Sequence, residues 1–435
     1  MNLSPRTNEL LFLLLAIVIG ILAAMGTLGF LALIEVGQWR LWPGDGHFMA
    51  RALAAPWWLR ILIPVLGGLV VGPVIAFLAP EARGPGVPEV IESAALLDGN
   101  IPSRRALLKA LCTGLTIATG GSVGREGPVV ALGAAIGSFM TRLFRFSTGK
   151  GRICLACGAA AGFAATFNTP ISGALFTIEI ILANLEIDYV GHIIIAAIVA
   201  VLISRQFFGD FPTFTVASFG FHHSSEFLIY LALGVLAGLL AIVFTRGIHV
   251  VDTVFRNLPL PEWLKPALGG LGLGILAATI PEVLGVGYWS INMSLAGEIT
   301  LAGAILLLFA KYLATVLCLG SGMSGGIIGP SLFLGAMLGT ILALAVNQIF
   351  PGMNLISTDY ALVGMGALLS GTTLGPITAI MIIFELSNSH EITAPAMVAC
   401  IASFLVVKYL YGYSVYETKL LRRGVRISRG KEVYL

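Results

Sequence analysis

Pro64-x-x-Gly67-Gly68-Leu69-x-x-Gly72 recurs later in the chain as Pro266-x-x-Gly269-Gly270-Leu271-x-x-Gly274, an offset of 202 residues. Further matches keep register with it. Pro80-Glu81-x-x-Gly84-x-Gly86 returns as Pro281-Glu282-x-x-Gly285-x-Gly287, offset 201. Lys109 with Gly124-x-x-Gly127-Pro128 returns as Lys311 with Gly326-x-x-Gly329-Pro330, and Gly133 and Gly137 return as Gly335 and Gly339, all at offset 202. Pro170-Ile171 with Glu179 returns as Pro376-Ile377 with Glu385, offset 206. Chance does not hold five motifs in register, so the chain is a duplicated half. Paired, Gly- and Pro-interrupted repeats point to a transporter-type architecture with its site between the two copies.

Composition fixes the solvent. Hydrophobic residues make up 57% of the 435-residue chain and charged ones 11%, with mean hydropathy +0.95. A soluble domain carries about a quarter charged residues, so this is a polytopic membrane protein solvated by a lipid bilayer. A net charge of +3 gives nucleic acid no footing. The first apolar run, 10–34, is too long for a signal-peptide core and lacks a small-residue cleavage pattern, which makes it a retained span. Five cysteines lie in apolar stretches, and Cys154-x-x-Cys157 has neither a second pair nor nearby histidines, so no metal or redox role is expected.

Apolar segments cover 10–38, 57–79, 106–120, 128–143, 153–167, 170–184 and 189–208, then 226–250, 263–280, 300–319, 327–349, 360–374, 376–388 and 391–412. Many fall short of the ~20 residues of a full span, and broken backbone at membrane depth is tolerated only around a protein-enclosed cavity. The expected division is a first repeat over 1–212, a connection over 213–225 containing His222 and His223, a second repeat over 226–418 and a basic tail over 419–435. Lys419, Arg422, Arg423, Arg426, Arg429 and Lys431 make that tail cytoplasmic, and Arg142, Arg145, Lys150 and Arg152 place their loop on the same side. Whether the copies are inverted depends on an odd number of crossings in each, which a count of segments leaves open.

Gly121-Ser122-Val123-Gly124-Arg125-Glu126-Gly127-Pro128 puts an arginine and a glutamate amid lipid-solvated chain. Glycines free the backbone and a proline suits the first turn of a helix, so irregular chain should feed a helix that starts at membrane depth. Such an N-terminus offers unpaired N–H groups and the positive end of a dipole, a ready anion site. Glu126 stands at its mouth with an anion of its own. Desolvation favours its neutral form and the helix ends favour its ionised form, so it would compete with a free anion for the same donors. Protonation would let it leave, which makes Glu126 a candidate gate. A glutamate that merely caps its own helix has the same geometry without the movement.

Glycines 133 and 137 are accounted for by close helix packing. Arg125 and Glu126 are not, since an ionisable residue inside a membrane is functional by default. Lys109 and Lys311 could raise the potential along an anion path or snorkel to an interface. Glu179 and Glu385 could carry protons, though their repeat symmetry better suits structural roles at helix ends. The histidines have no metal-ligand spacing, and no cofactor is called for. Gly322-Met323-Ser324-Gly325 also fits the Gly-x-Ser-Gly of rhomboid intramembrane proteases, but the later His390 is the one available base and the repeat already explains these four residues.

The chain resembles the CLC family of chloride channels and proton-coupled chloride exchangers. Gly124-Arg125-Glu126-Gly127-Pro128 matches that family's GREGP stretch, Gly84-Pro85-Gly86-Val87-Pro88 is similar to its GSGIP stretch, and Gly325-Gly326-Ile327-Ile328-Gly329-Pro330 to its GGIFAP stretch. Tyr416 stands where the family has a pore-facing tyrosine. The resemblance implies an all-α fold of two inverted-topology repeats of tilted and half-length helices, working as a homodimer in a prokaryotic cell membrane. It implies chloride or other small monovalent anions, with protons, as cargo, and no enzymatic activity. Glu126 would be the gating glutamate. Ile327, Ile328 and Tyr416 would line a central anion site beside Pro85, Gly86 and Val87, with Arg125, Glu126 and Gly127 around an outer one and Lys109 in electrostatic support.

Two positions depart from the family pattern. Pro85 replaces the usual serine and has neither hydroxyl nor N–H to offer an anion, a change that nitrate-preferring exchangers share. Ile180 follows Glu179 where exchangers commonly carry an inner proton-handling glutamate. The expectation is anion transport gated by Glu126, with proton-coupled exchange ahead of passive, pH-gated conduction.

Overall fold

The computed structural model describes residues 5–144, 148–183, 187–209, 214 and 226–426. Arg145, Arg429, Lys431, His222, His223 and the rest of the 213–225 connection apart from Phe214 lie outside the described residues. Among the described residues the chain is helical, with no strand. The first half runs α1 (Pro5–Leu41), α2 (Phe48–Ala54), α3 (Trp57–Pro73), α4 (Val87–Leu96), α5 (Ser103–Ala118), α6 (Glu126–Phe144), α7 (Thr148–Phe167), α8 (Pro170–Phe176) and α9 (Ile187–Phe208). The second runs α10 (Glu226–Asn257), α11 (Lys265–Thr279), α12 (Tyr288–Leu295), α13 (Leu301–Ser321), α14 (Ile328–Ile349), α15 (Ser357–Thr373), α16 (Pro376–Ser387), α17 (Thr393–Leu410) and α18 (Val415–Arg422).

Among the described residues, eight helical stretches are long and apolar enough to cross a membrane, while the stretches at 170–182 and 376–387 are too short. Their outward faces carry large apolar side chains such as Leu66, Phe77, Leu228 and Phe309, as a lipid-solvated surface does. Four short helices escape the apolar segments read from sequence: α2, α4 and α12 fall between them and α18 follows the last. They have only 7 to 10 residues each, too few to register as apolar runs. Helices α6 and α14 start two residues before Pro128 and Pro330, so each proline sits in the first turn, where its missing N–H still costs no bond.

The halves are related by a two-fold axis, and the contacts across it are reciprocal. Helix α3 packs on α11 so closely that a Cβ on Gly68 would lie 2.5 Å from the Pro266 carbonyl oxygen, and one on Gly270 would lie 2.3 Å from that of Pro64. Glu179 accepts from the amides of Ile377 (3.0 Å) and Thr378 (2.7 Å), and Glu385 accepts from those of Ile171 (2.9 Å) and Ser172 (2.7 Å). Each carboxylate thus caps the helix that begins in the other half, where free amides and the dipole stabilise it. Within each half the same neighbours recur: α6 packs on α7 as α14 does on α15, and α1 on α9 as α10 does on α17. A Cβ on Gly137 would stand 1.9 Å from Cys154 O, and one on Gly339 1.8 Å from Tyr360 O, so both pairs need bare backbone. Helices α6 and α14 begin side by side, joined through Gly124 and Gly326, and the reciprocal contacts fit the inverted-repeat arrangement.

Candidate functional site

The interrupted motifs of both halves meet at the axis. Gly124 N–H donates to Gly326 O at 2.7 Å and Gly326 N–H returns the bond to Gly124 O at 2.6 Å. Gly84 N–H donates to Met323 O (3.2 Å) and Gly325 N–H to Gly84 O (3.4 Å). These bonds knit three loops together and bring the N-termini of α4, α6 and α14 to one buried point. Ile327 and Ile328 are each 1% exposed, and their amides find no acceptor among the described residues. Helix N-termini with spare N–H donors are an arrangement suited to binding an anion.

Glu126 fills that point and is fully buried. Its Oε2 accepts from Gly329 N–H in the first turn of α14 (3.3 Å), so the positive end of the other half's helix holds the carboxylate. Its Oε1 accepts the Tyr288 hydroxyl at 2.9 Å. The Arg125 guanidinium lies over the Tyr288 ring, 4.8 Å from its centroid, and its Nε is buried without a partner among the described residues.

Tyr416 reaches the site from the opposite side. A capping box at the start of α18, with Ser414 N–H on Glu417 Oε2 (2.7 Å) and Glu417 N–H on Ser414 Oγ (3.1 Å), fixes its backbone. The phenol is 1% exposed and lies within electrostatic reach of Glu126. Lys419 sits in α18 one turn further on, and its ammonium donates to Arg83 O (2.8 Å), Pro85 O (2.9 Å) and Glu89 Oε1 (2.8 Å). Lys109 takes the same Pro85 carbonyl from the other side (3.2 Å) and is 3.7 Å from Glu89 Oε2. Its repeat mate Lys311 binds Val283 O (3.1 Å) and Gly285 O (2.7 Å). Both lysines are buried against loop carbonyls, so neither snorkels. Val87 and Gly127 are buried where α4 meets α6, and a Cβ on Gly86 would lie 2.8 Å from Gly127 O.

Two cavities reach residues beside this point. The one beside α18 holds about 560 Å³ and ends on Pro85 and Ile327. Arg83, Arg256, Lys419, Arg422 and Arg423 line it with Asp252, while Glu89 pairs with Lys419 and Arg423 beside it, so cations outnumber carboxylates along this wall. Arg83 also pairs with Glu262 (3.1 Å) outside the spans. Partial burial pushes the Glu262 carboxyl up, but the Lys265 ammonium and the Arg83 guanidinium outweigh it and hold it below the usual range. The second cavity, of about 370 Å³, has Arg125 on its wall with Glu35, His47 and Arg51. Glu126 lines neither cavity.

Tyr288 and Lys419 escaped sequence reasoning. The signal for Tyr288 was its place beside Gly287, the repeat mate of Gly86; for Lys419 it was the i+3 spacing from Tyr416. Ser324 bonds the Thr113 hydroxyl at 2.8 Å rather than a histidine. The five cysteines are free and buried.

Comparison with known proteins identifies the family and the fold. The family described as Voltage gated chloride channel matches residues 67–408. A ClcB-like protein of Ralstonia nicotianae is 36% identical over 94% of this chain and 96% of its own length. The H(+)/Cl(-) exchange transporter ClcA of Citrobacter koseri is 32% identical over 84% of this chain and 79% of its own. The crystal structure of a slow cyanobacterial Cl-/H+ antiporter superposes with a TM-score of 0.85 at 26% identity, covering 97% of this chain and 99% of that one. The chain belongs to the CLC family of anion transport proteins, multi-pass in the membrane.

Proposed function

We propose that this protein carries chloride, and also nitrate, across a prokaryotic cell membrane as a homodimer, with Glu126 as its gate and with proton-coupled exchange as its mode. One observation supports the reading: a fully buried carboxylate, Glu126, sits on the amide of Gly329 where the broken helices of both halves begin, near two cavities that reach Ile327 and Arg125. The carboxylate is seated by donors that would serve an anion equally well. Ionised, Glu126 excludes the anion; protonated, it loses its hold on the amide of Gly329 and the path opens. The central site then consists of the amides of Ile327 and Ile328 with Tyr416, and the outer one of the backbone around Arg125, Glu126 and Gly127. Lys109 and Lys419 add positive charge beneath Pro85.

A specific observation favours the second reading, passive conduction gated by pH. Ile180 is 3% exposed and cannot carry a proton, and the neighbouring Glu179 is engaged by two amides and the Thr378 hydroxyl (2.6 Å). Exchange therefore needs another route for the proton from the α18 side. Purified protein in liposomes, with anion and proton movements recorded together, separates the two. Uphill proton movement driven by a chloride gradient establishes exchange, and anion flux without proton movement establishes a channel. Glu126→Gln tests the gate in the same vesicles: its flux should be nearly insensitive to pH, and wild-type pH dependence would exclude the gate. Light scattering in detergent at twice the 45.7 kDa chain mass, after correction for detergent, tests the dimer.

A further inference from the structure

We infer that Tyr288 is a latch: its hydroxyl holds Glu126 in the ionised, seated position and sets the pH at which the gate lets go. This rests on the reading of Glu126 as the gate. The hydroxyl donates to Oε1 while the Gly329 amide donates to Oε2, so the two carboxylate oxygens are held by different elements, α12 and α14. The Gly329 amide belongs to a helix terminus that would serve a passing anion too. The Tyr288 hydroxyl is the side-chain donor given to the gate oxygen.

Duplication shows the hydroxyl to be particular to this side. Tyr288 follows Gly287 as Val87 follows Gly86, at an offset of 201, and a valine has nothing to donate. The second copy thus carries a donor at a position where the first carries only packing. The ring is fixed from two directions. Phe214 meets it edge-on at 5.3 Å between centroids, and the Arg125 guanidinium covers a face at 4.8 Å. A cation over the ring draws electron density from the phenol and strengthens it as a donor. Since Arg125 also lines the cavity on the side away from α18, the latch stands between that cavity and the gate.

The charged and titratable groups facing this corner are Arg125, Lys311 and Tyr416. A Cβ on Gly287 would lie 3.2 Å from the Lys311 ammonium, which is committed to Val283 O and Gly285 O, and Tyr416 acts from the α18 side. None of the three makes a hydrogen bond to Glu126 among the described contacts. Tyr288 is therefore the side chain whose removal changes the gate's hydrogen bonding and leaves the local charge unaltered.

Removing a donor to a carboxylate favours its protonated form. The flux-versus-pH curve of Tyr288→Phe should move to higher pH by about one unit, because a hydrogen bond to a charged group is worth roughly that much. The midpoint is read relative to each variant's own maximal flux at acid pH, and phenylalanine keeps the ring that Arg125 and Phe214 pack on. In Glu126→Gln, adding Tyr288→Phe should change nothing further. Replacing Tyr288 with 3-fluorotyrosine, a stronger donor of nearly the same size, should move the curve the other way and serves if the phenylalanine variant folds poorly. Chloride efflux from liposomes at matched internal and external pH reads all four. An unmoved midpoint in both Tyr288 variants, or a Tyr288→Phe effect that persists in Glu126→Gln, overturns the latch. Wild-type pH dependence in Glu126→Gln alone overturns instead the gate on which it rests.

Discussion

Gly124 and Gly326, equivalent positions in the two copies, exchange both of their backbone hydrogen bonds at 2.7 and 2.6 Å. The axis therefore passes through the point where the helices that seat Glu126 begin. A Cβ on Gly124 would lie 2.2 Å from Glu126 Oε2, so Gly124→Ala pushes the carboxylate from its seat. Loss of a hydrogen bond to a charged group costs about 1.5–3 kcal/mol, on the order of tenfold or more in seat occupancy. Anion flux at alkaline pH should rise by about tenfold in Gly124→Ala vesicles. Flux as low as wild type at that pH would show that the carboxylate keeps its place.

Glu179 directly precedes Ile180 in the chain, and its hydrogen bonds give it structural work. Three donors from Ile377 and Thr378 converge on it, mirrored by Glu385 on Ile171 and Ser172. Glu179→Gln should lower stability by about 1–3 kcal/mol, the scale of a lost charged cap, seen as a reduced melting temperature in detergent. The ratio of protons to anions moved should not change. A changed ratio with an unchanged melting temperature would make Glu179 part of a proton route.

Five cations line the cavity beside α18, three of them paired with Asp252, and Arg256 is 60% exposed at its rim, 2.9 Å from that carboxylate. Exposed charge of this kind acts through space and is screened by salt. Arg256→Gln should slow anion entry from that side by about two- to threefold at low ionic strength, and the difference should vanish near 1 M salt with an impermeant anion. A deficit that survives high salt would place Arg256 in direct contact with the anion or in the folding of the cavity wall.

What could be read in the sequence follows from what repeats. Gly68 with Gly270, Glu179 with Glu385 and Gly124 with Gly326 were each visible as pairs: the last two glycines bond each other, Gly68 meets Pro266 as Gly270 meets Pro64, and each glutamate caps a helix of the other copy. Hydropathy marked the long spans. It missed α4 and α12, because ten and eight residues with polar side chains leave no apolar run. It also placed Lys419 by charge alone, whereas its hydrogen bonds to Arg83 O and Pro85 O depend on where α18 docks. Tyr288 was invisible for a related reason: its partner Glu126 is 162 residues away, and nothing local to a Tyr-Trp pair announces a gate.

Pro85 carries the last prediction. Its carbonyl is held by Lys109 (3.2 Å) and Lys419 (2.9 Å), so the backbone oxygen here is turned toward two ammonium groups. The ring offers no donor at the place where a serine hydroxyl could meet a compact halide. Nitrate spreads its charge over three oxygens and relies less on any single short bond, so a donor-poor wall penalises it less than chloride. Pro85→Ser restores one hydroxyl without disturbing the lysines, which bind the carbonyl rather than the ring. The chloride-to-nitrate flux ratio in competition should rise by about fivefold, the worth of one hydrogen bond of roughly 1 kcal/mol. An unchanged ratio would mean that selectivity is set elsewhere along the path, with the amides of Ile327 and Ile328 the next candidates.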